Sequence, residues 1–147
     1  MRKITDDYLK YWRVIRYYVK ERYGLTQADL DMILFLNSEH YFDKDKFKEF
    51  DSLMSWNVTR FDQLLRDGWI VLFRRGFKGS RAVYTLPYKT SCLIKLIYNL
   101  LSGNEIPMGR SNTMFYKNVK YTDKVYRNMI MEMNKTFKGK KRTVNEL

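Results

Sequence analysis

The chain has 147 residues, of which 45% are hydrophobic and 16% aromatic, so it can form one domain with a substantial core and is not of disordered composition. No apolar run reaches the roughly 18 residues of a membrane span, and the first residues lack the apolar region of a signal peptide. A single cysteine and a single histidine exclude an internal disulfide and a His/Cys zinc site. We therefore expect one domain over residues 1–147, without membrane contact, metal or cofactor, in the cytoplasm of a bacterial cell or a phage-infected host.

The charged residues are divided unequally along the chain. Residues 1–67 carry 12 Lys/Arg and 12 Asp/Glu, whereas residues 68–147 carry 16 Lys/Arg and four acids, so the whole net charge of +12 lies in the second part. A one-sided positive field attracts polyanions. The alternative is a basic surface that serves solubility alone. Nucleic acid is favoured, because the excess begins where a hairpin pattern follows a helix.

The first predicted helix covers residues 5–23, with Thr5 as its N-cap and Gly24 as its end. Its apolar and aromatic residues occupy more than the one face that a single core requires. We therefore expect this helix to contact both its own core and a partner subunit. The alternative is that the C-terminal helices cover it within one subunit.

A second helix is predicted over residues 26–38, where Thr26 and Asp29 have the spacing of a capping box. Residues 39–42 are expected to form a connector. A short helix follows that is capped by Asp43 and has Phe47 and Phe50 on its inner side. It is expected to end at a tight turn formed by Asp51 and Ser52.

The next helix is predicted from Ser55 to Asp67. Its buried stripe consists of Val58, Phe61, Leu64 and Leu65. The outward residues are of the types that read base edges, since Arg pairs with guanine, and Asn and Gln pair with adenine. Ordinary polar surface is the alternative. The candidate base-reading residues are Ser55, Trp56, Asn57, Thr59, Arg60 and Gln63.

A hairpin follows the glycine at position 68. Residues 69–75 and 81–86 are β-prone, and residues 76–80 form a glycine-containing turn. The hairpin carries basic residues and no acid, which suits the phosphate backbone or a minor groove. The candidate contacts are Arg74, Arg75, Lys78 and Arg81.

The C-terminal part is predicted to hold two more helices. An apolar helix over residues 89–102 contains Cys92, which we expect to be a small buried hydrophobe. Residues 104–120 look irregular, and Thr122 with Asp123 is expected to cap a last helix, followed by a frayed basic tail at 139–147. The predicted dimer interface consists of Tyr8, Tyr11, Trp12, Ile15, Val125, Met129 and Met133.

Three stretches resemble the MarR-type winged-helix transcriptional regulators: residues 25–34, the Val58-Thr59-Arg60 to Gly68-Trp69-Ile70 region, and residues 81–86. The resemblance implies a mainly α fold with a small β-hairpin wing and a winged helix-turn-helix core at 26–86. It also implies a homodimer built by helices at 5–24 and 88–138, which places two recognition helices in successive major grooves. Where that family usually carries an acid, two positions before the wing arginine, this chain has Gly79.

The sequence thus predicts a sequence-selective double-stranded DNA-binding protein, a homodimeric transcriptional regulator. The Lys-, Asn- and Tyr-rich composition is compatible with a phage origin. The alternative is a non-catalytic winged-helix adaptor in a phage replication, packaging or polymerase-modifying assembly, in which Trp56 and Trp69 contact protein. An enzyme is not expected, because the acid pairs lie at helix starts or on helix surfaces. The resemblance leaves room for a small-molecule effector, which no residue pattern indicates.

Overall fold

The structure is a computed structural model that describes the backbone of residues 8–54 and 58–145 and the side chains of residues 9–52 and 59–136. Over those residues the chain is mainly helical with one small antiparallel sheet, as the sequence predicts. None of the helices in this part is both long and apolar enough to cross a membrane. The elements are α1 Tyr8–Tyr23, α2 Gln27–Asn37, β1 Tyr41–Phe42, α3 Lys44–Met54, α4 Val58–Arg66, β2 Val71–Arg74, β3 Val83–Thr85, α5 Tyr88–Leu101, a 3-10 helix Thr113–Phe115 and α6 Tyr121–Asn145.

The chain divides into two compact units. The sheet unit is Leu25–Lys95, which contains α2, α3, α4, the three strands and the first half of α5. The terminal unit is Met1–Gly24 with Leu96–Leu147, which contains α1, the rest of α5, the 3-10 helix and α6. The predicted winged-helix core at 26–86 falls within the sheet unit.

The start of α2 confirms the predicted capping box. The Thr26 Oγ1 accepts a hydrogen bond from the Asp29 backbone N–H at 3.1 Å, and an Asp29 carboxylate oxygen accepts one from the Thr26 backbone N–H at 3.1 Å. Two of the amide groups left without partners at a helix start are thereby satisfied.

The sheet contains a strand that the sequence did not predict. β1 pairs with β3, and β3 also pairs with β2, so the strand order is β1-β3-β2 with all pairs antiparallel. The prediction of a connector at 39–42 is therefore wrong for Tyr41 and Phe42. Alternating burial needs about four residues to be recognised, and a two-residue strand is too short to show it.

The core of the sheet unit is centred on Phe61 of α4, which is fully buried. Its ring meets Phe42 of β1 and Tyr84 of β3 edge-on, with ring centroids 6.4 and 5.2 Å away, and Phe47 of α3 lies at 4.9 Å. Edge-to-face contacts in this range add to the stabilisation from burial alone. One face of the sheet is thus fixed against α3 and α4.

The predicted tight turn at Asp51 and Ser52 is wrong, because α3 continues through both residues to Met54. The Ser52 hydroxyl donates a hydrogen bond to the Glu49 carbonyl oxygen at 2.9 Å, a bond to the preceding turn that lets serine remain in a helix. Aspartate and serine lower helix propensity only slightly, and the buried Phe47 in the same helix outweighs them.

The end of α4 is a Schellman motif. The Trp69 N–H donates to the Leu64 carbonyl oxygen at 2.9 Å, the Gly68 N–H donates to the Leu65 carbonyl oxygen at 3.2 Å, and Gly68 has φ +80°. These two bonds fix the direction in which the chain leaves α4 toward the hairpin.

We predict that Gly68→Ala lowers the free energy of unfolding by about 1–2 kcal/mol, because a Cβ disfavours the left-handed backbone. No neighbouring atom lies within 4 Å of the position that this Cβ would take, so the cost is conformational. Gly109→Ala is the control, since Gly109 has neither a neighbour within 4 Å nor a φ in the left-handed region. Chemical denaturation of both variants measures the difference, and an equal effect of the two would contradict the prediction.

In the terminal unit α1 packs against α6. The rings of Tyr17 and Tyr126 stack with centroids 3.9 Å apart, and the Tyr17 hydroxyl donates to the Asp123 carboxylate. Burial, and then this hydrogen bond and the negative charge of Asp123, raise the pKa of Tyr17. Asp123 therefore serves as a partner of α1, and the predicted cap by Thr122 and Asp123 is wrong, because α6 already begins at Tyr121.

The irregular segment 104–120 is held by two buried asparagines. Asn134 of α6 accepts from the Ile106 N–H at 3.1 Å and donates to the Ile106 carbonyl oxygen at 3.0 Å. Asn112 donates to the Pro107 carbonyl oxygen and caps the 3-10 helix. The backbone of α6 continues as a helix to Asn145, so the prediction of a frayed tail from residue 139 is wrong.

Candidate nucleic-acid interface

The candidate base-reading residues belong to α4 and the segment before it. Ser55, Trp56 and Asn57 lie outside the described residues. Thr59 is exposed, and Gln63 is half-buried with its Nε2 donating to the Asp67 Oδ1 at 3.0 Å. Of the predicted residues in the described part of α4, Thr59 is exposed, and Gln63 and Arg60 are both half-buried.

Arg60 has a different environment from the one that the sequence predicts. Its Nε donates to the Asp29 Oδ1 at 2.8 Å and its Nη2 donates to the Asp29 Oδ2, so the pair is bidentate. The Asp29 side chain is only 1% exposed, whereas that of Arg60 is 35% exposed. Two of the guanidinium donors that would contact a guanine are thus used to join α4 to α2.

The electrostatics of this pair follow from its burial. Burial by itself raises the pKa of Asp29, but hydrogen bonds from Arg60 and Thr26 and the charge of Arg60 more than offset it, so the pKa is lowered. The hydrogen bond to Asp29 raises the pKa of Arg60. Both residues therefore stay ionised, and Arg60 joins α4 to α2 through this ion pair. That Arg60 reads a base stays a prediction. The sequence did not indicate the ion pair between Asp29 and Arg60, because the capping box already accounts for an aspartate at position 29.

The hairpin ends in a tight turn at Lys78 and Gly79. Phe77 and Ser80 exchange two backbone hydrogen bonds, of 3.0 and 2.7 Å, and Gly79 has φ +80°. A Cβ at Gly76 would lie 3.1 Å from the Ser80 carbonyl oxygen. The backbone of the turn therefore favours glycine at position 79, and a side chain at position 76 would require the Ser80 carbonyl group to move by a few tenths of an ångström.

The basic side chains of the hairpin are all at the surface. Arg74, Arg75, Lys78 and Arg81 are exposed, and residues 69–86 contain no acid. The local surface is therefore positive without an internal carboxylate to neutralise it.

Among the residues that the structure describes, Arg81 differs from the other three basic residues in having an ion-pair partner. Its Nη1 lies 2.5 Å from the Asp45 Oδ1 of α3, with both side chains about half exposed. Asp45 thus provides Arg81 with a carboxylate from outside the hairpin, which itself contains no acid. An exposed pair of this kind stabilises weakly, by about 0–1 kcal/mol, and it links the segment before β3 to α3.

Trp69 and Lys89 brace the opposite end of the hairpin. The Lys89 Nζ lies 3.9 Å from the centroid of the Trp69 ring and donates to the Asp67 carbonyl oxygen at 3.0 Å. Thr90 Oγ1 donates to the Trp69 carbonyl oxygen at 2.7 Å. Trp69 is 5% exposed, so it is a core residue and not the protein-contact residue considered for an adaptor.

The predicted dimer residues divide by burial. Ile15 and Met133 are buried in the single chain and have no surface to offer a partner, so their assignment to an interface is wrong. Tyr11, Trp12 and Val125 are half-buried, and Met129 is 36% exposed. The side chain of Tyr8 lies outside the described part. Tyr11 and Met129 also line a cavity of about 110 Å³ in the terminal unit.

Cys92 is exposed on α5, and the prediction that it is buried is wrong. The buried residues of this helix are Thr90, Leu93, Ile94, Ile97 and Leu100. Cys92 lies off that stripe, and a helix with so many apolar residues does not reveal which of them face solvent.

Several acidic residues of the sheet unit form ion pairs with basic side chains. Besides the pairs of Asp29 and Asp45, Asp62 lies 3.8 Å from the Lys44 Nζ. Across residues 8–54 and 58–145, no group of three His, Cys, Asp or Glu side chains could hold a metal ion. The expectation that the protein is not an enzyme stays a prediction.

Comparison with known proteins found no matching family model, no matching curated protein and no matching solved structure.

Proposed function

We propose that the protein is a sequence-selective double-stranded DNA-binding protein that acts as a homodimeric transcriptional regulator. The observation that carries this proposal is the hairpin, which projects exposed basic side chains and contains no acid. It follows directly after α4, so a helix and a positive ribbon are adjacent in the chain. The positive half of the chain begins at this point.

The proposal assigns the sheet unit to the winged helix-turn-helix class. In this assignment α3 and α4 form the helix-turn-helix, β2 and β3 form the wing, and α4 enters the major groove. The short strand β1 supports the assignment, because it ties the chain between α2 and α3 to the wing strand β3.

Within this proposal, the surface residues have separate tasks. Thr59 and Gln63, with Ser55, Trp56 and Asn57 before them, contact base edges. Arg74, Arg75 and Lys78 contact phosphates or the minor groove. Arg60 and Arg81 act as structural supports, since both form ion pairs with carboxylates. Base discrimination and general affinity are therefore carried by different elements.

The homodimer in this proposal uses the surfaces of α1 and α6 that a single chain leaves accessible. Leu9 is 86% exposed on α1, and Met129 and Met131 are 36% and 37% exposed on α6. Contact between two copies at these surfaces would remove such apolar groups from water. Sedimentation equilibrium tests this part separately, and a monomer at all concentrations would contradict it.

Selection from random DNA duplexes at two salt concentrations tests the function directly. We expect enrichment of a motif with two related half-sites about one helical turn apart. Retention of the protein without any enriched motif would contradict sequence-selective binding, and it would favour the adaptor alternative if another protein co-purified.

Two single variants separate the two tasks on the selected site. Gln63→Ala is expected to reduce discrimination at one base position by about 1–3 kcal/mol. Lys78→Ala is expected to weaken all sequences alike and to lower the slope of log K against log salt by about 0.9. Binding titrations on the selected site and on single-base variants of it measure both effects. Uniform loss from Gln63→Ala would contradict its base-reading role.

A further inference from the structure

The two faces of the small sheet differ in chemistry. The inner face carries Phe42 and Tyr84, which pair across β1 and β3 and contact Phe61. Side chains alternate between faces along a strand, so Tyr41 and Thr85, which are also directly opposite, lie on the other face. We call this second side the outer face.

An irregularity in β2 changes which residues reach the outer face. Val71 is opposite Thr85 and Leu72 is opposite Tyr84, but the next paired residue, opposite Val83, is Arg74. The register shift is a β-bulge that includes Phe73. Val83 and Thr85 point to the same face, so Arg74, which is opposite Val83, lies on the outer face. In a regular strand without the bulge, Arg74 would point to the inner face.

The bulge also leaves Phe73 on the outer face. The Phe73 ring lies 4.7 Å from the Tyr41 ring, at an angle of 50°, although the two residues belong to the two edge strands of the sheet. Phe73 is 61% exposed and Tyr41 is 58% exposed. A pair of accessible rings and a guanidinium therefore share one open sheet face.

Core packing does not account for this arrangement. The Phe42 ring, which follows Tyr41 in the chain, is 3% exposed and serves the core. Tyr41 and Phe73 touch each other while keeping more than half of their surface in solvent. Aromatic rings beside basic side chains are the elements of a stacking platform for unpaired bases.

We propose that the outer face binds unpaired nucleobases next to a duplex, with Phe73 and Tyr41 stacking on the bases and Arg74 contacting the adjoining phosphates. This inference rests on the proposed DNA-binding function and specifies its substrate as DNA with a single-stranded segment beside the duplex. The occupant is a polyanion because residues 69–86, which include Phe73 and Arg74, carry basic residues and no acid. A second copy of this chain would bring the same positive hairpin against itself, which repulsion disfavours.

The test compares a blunt duplex with the same duplex carrying a single-stranded extension of about six nucleotides, within the usual site size for such platforms. The extension contains 2-aminopurine, whose fluorescence reports stacking. The full-length protein is used as the wild type and as Phe73→Ala, Phe73→Tyr and Tyr98→Ala. Tyr98 is the matched control, because it is 64% exposed and lies in the terminal unit.

We expect the wild type to bind the extended duplex more tightly than the blunt one and to change the 2-aminopurine fluorescence. Phe73→Ala should lose about 5- to 150-fold in affinity for the extended duplex and little for the blunt one. Phe73→Tyr, which keeps an aromatic ring, should retain the advantage of the extension, and Tyr98→Ala should behave as the wild type.

Four results would overturn the inference, and they separate it from the proposed function. Equal affinity of the wild type for both duplexes would contradict the stacking platform while leaving duplex binding intact. Equal losses of Phe73→Ala on both duplexes would assign Phe73 a structural role. A change from dimer to monomer in Phe73→Ala, measured by sedimentation, would assign the face to a second copy. Binding to neither duplex would overturn the proposed function as well.

Discussion

Arg60→Ala is expected to lower the free energy of unfolding by about 3 kcal/mol, because it leaves a buried carboxylate without its partner. Asp29 is 1% exposed and receives two hydrogen bonds from the guanidinium. Its remaining bond to the Thr26 N–H persists in the variant and keeps the capping box. The loss is at the low end for a broken buried ion pair, because Arg60 itself is 35% exposed and water can enter when it is removed.

Arg66→Ala is the matched control for this variant. Arg66 is an exposed arginine on the same helix, at its last residue. An exposed substitution of this kind usually changes stability by no more than about 0.5 kcal/mol. Urea denaturation followed by circular dichroism measures both variants. If Arg60→Ala were as stable as Arg66→Ala, the ion pair would not be a structural support.

The pH dependence provides an independent check of the ion pair. The folded-state pKa of Asp29 is lowered, so its contribution to stability is fully present above the unfolded pKa of about 3.9 and is lost as the pH falls through the folded value. In Arg60→Ala the burial that raises the pKa remains and the lowering by Arg60 is gone. The stability difference between wild type and variant should therefore be largest near neutral pH and decrease below about pH 4.

The same variant distinguishes the two roles considered for Arg60. A base-reading arginine would, when replaced, relax preference at one base position. A structural arginine that joins α4 to α2 would, when replaced, weaken binding to all sequences, because α4 loses its orientation. The geometry leads us to expect the second result, with the melting temperature falling in parallel.

Features determined by neighbouring residues could be predicted from the sequence. The Thr26–Asp29 capping box depends on two positions three residues apart, and the end of α4 at Gly68 depends on one glycine. Both follow from local backbone chemistry, which a sequence displays directly. The mainly helical fold with a small hairpin is predictable for the same reason.

Features determined by distant partners could not be predicted. Arg60 and Asp29 are 31 positions apart, and Arg81 and Asp45 are 36 apart. The local sequence around either arginine does not show whether its side chain faces DNA or forms an ion pair with a distant carboxylate. The same limit applies to β1, which forms only because it pairs with β3. The paired residues are far apart in the chain: Tyr41 and Thr85 are separated by 44 positions, and Phe42 and Tyr84 by 42.

The hairpin is where the second large effect is expected. The double variant Arg75→Ala with Lys78→Ala should lose about 10- to 100-fold in duplex affinity at about 0.1 M salt, and the slope of log K against log salt should fall by about 1.8. Each side chain is exposed and lies at or beside the turn of the hairpin. Neither residue belongs to the core of the sheet unit, so stability should change little.

A variant that removes the same charge elsewhere separates local contact from total charge. Arg13→Ala with Lys117→Ala also lowers the net charge by two, from exposed positions in the terminal unit. If the +12 charge attracted DNA only as a whole, the two double variants would lose affinity equally. If the hairpin contacts phosphates directly, the hairpin variant alone shows the full change in salt slope, because counterions are released only where a phosphate is neutralised. Titrations of both variants at several salt concentrations therefore decide whether the ribbon after α4 is a DNA-binding wing.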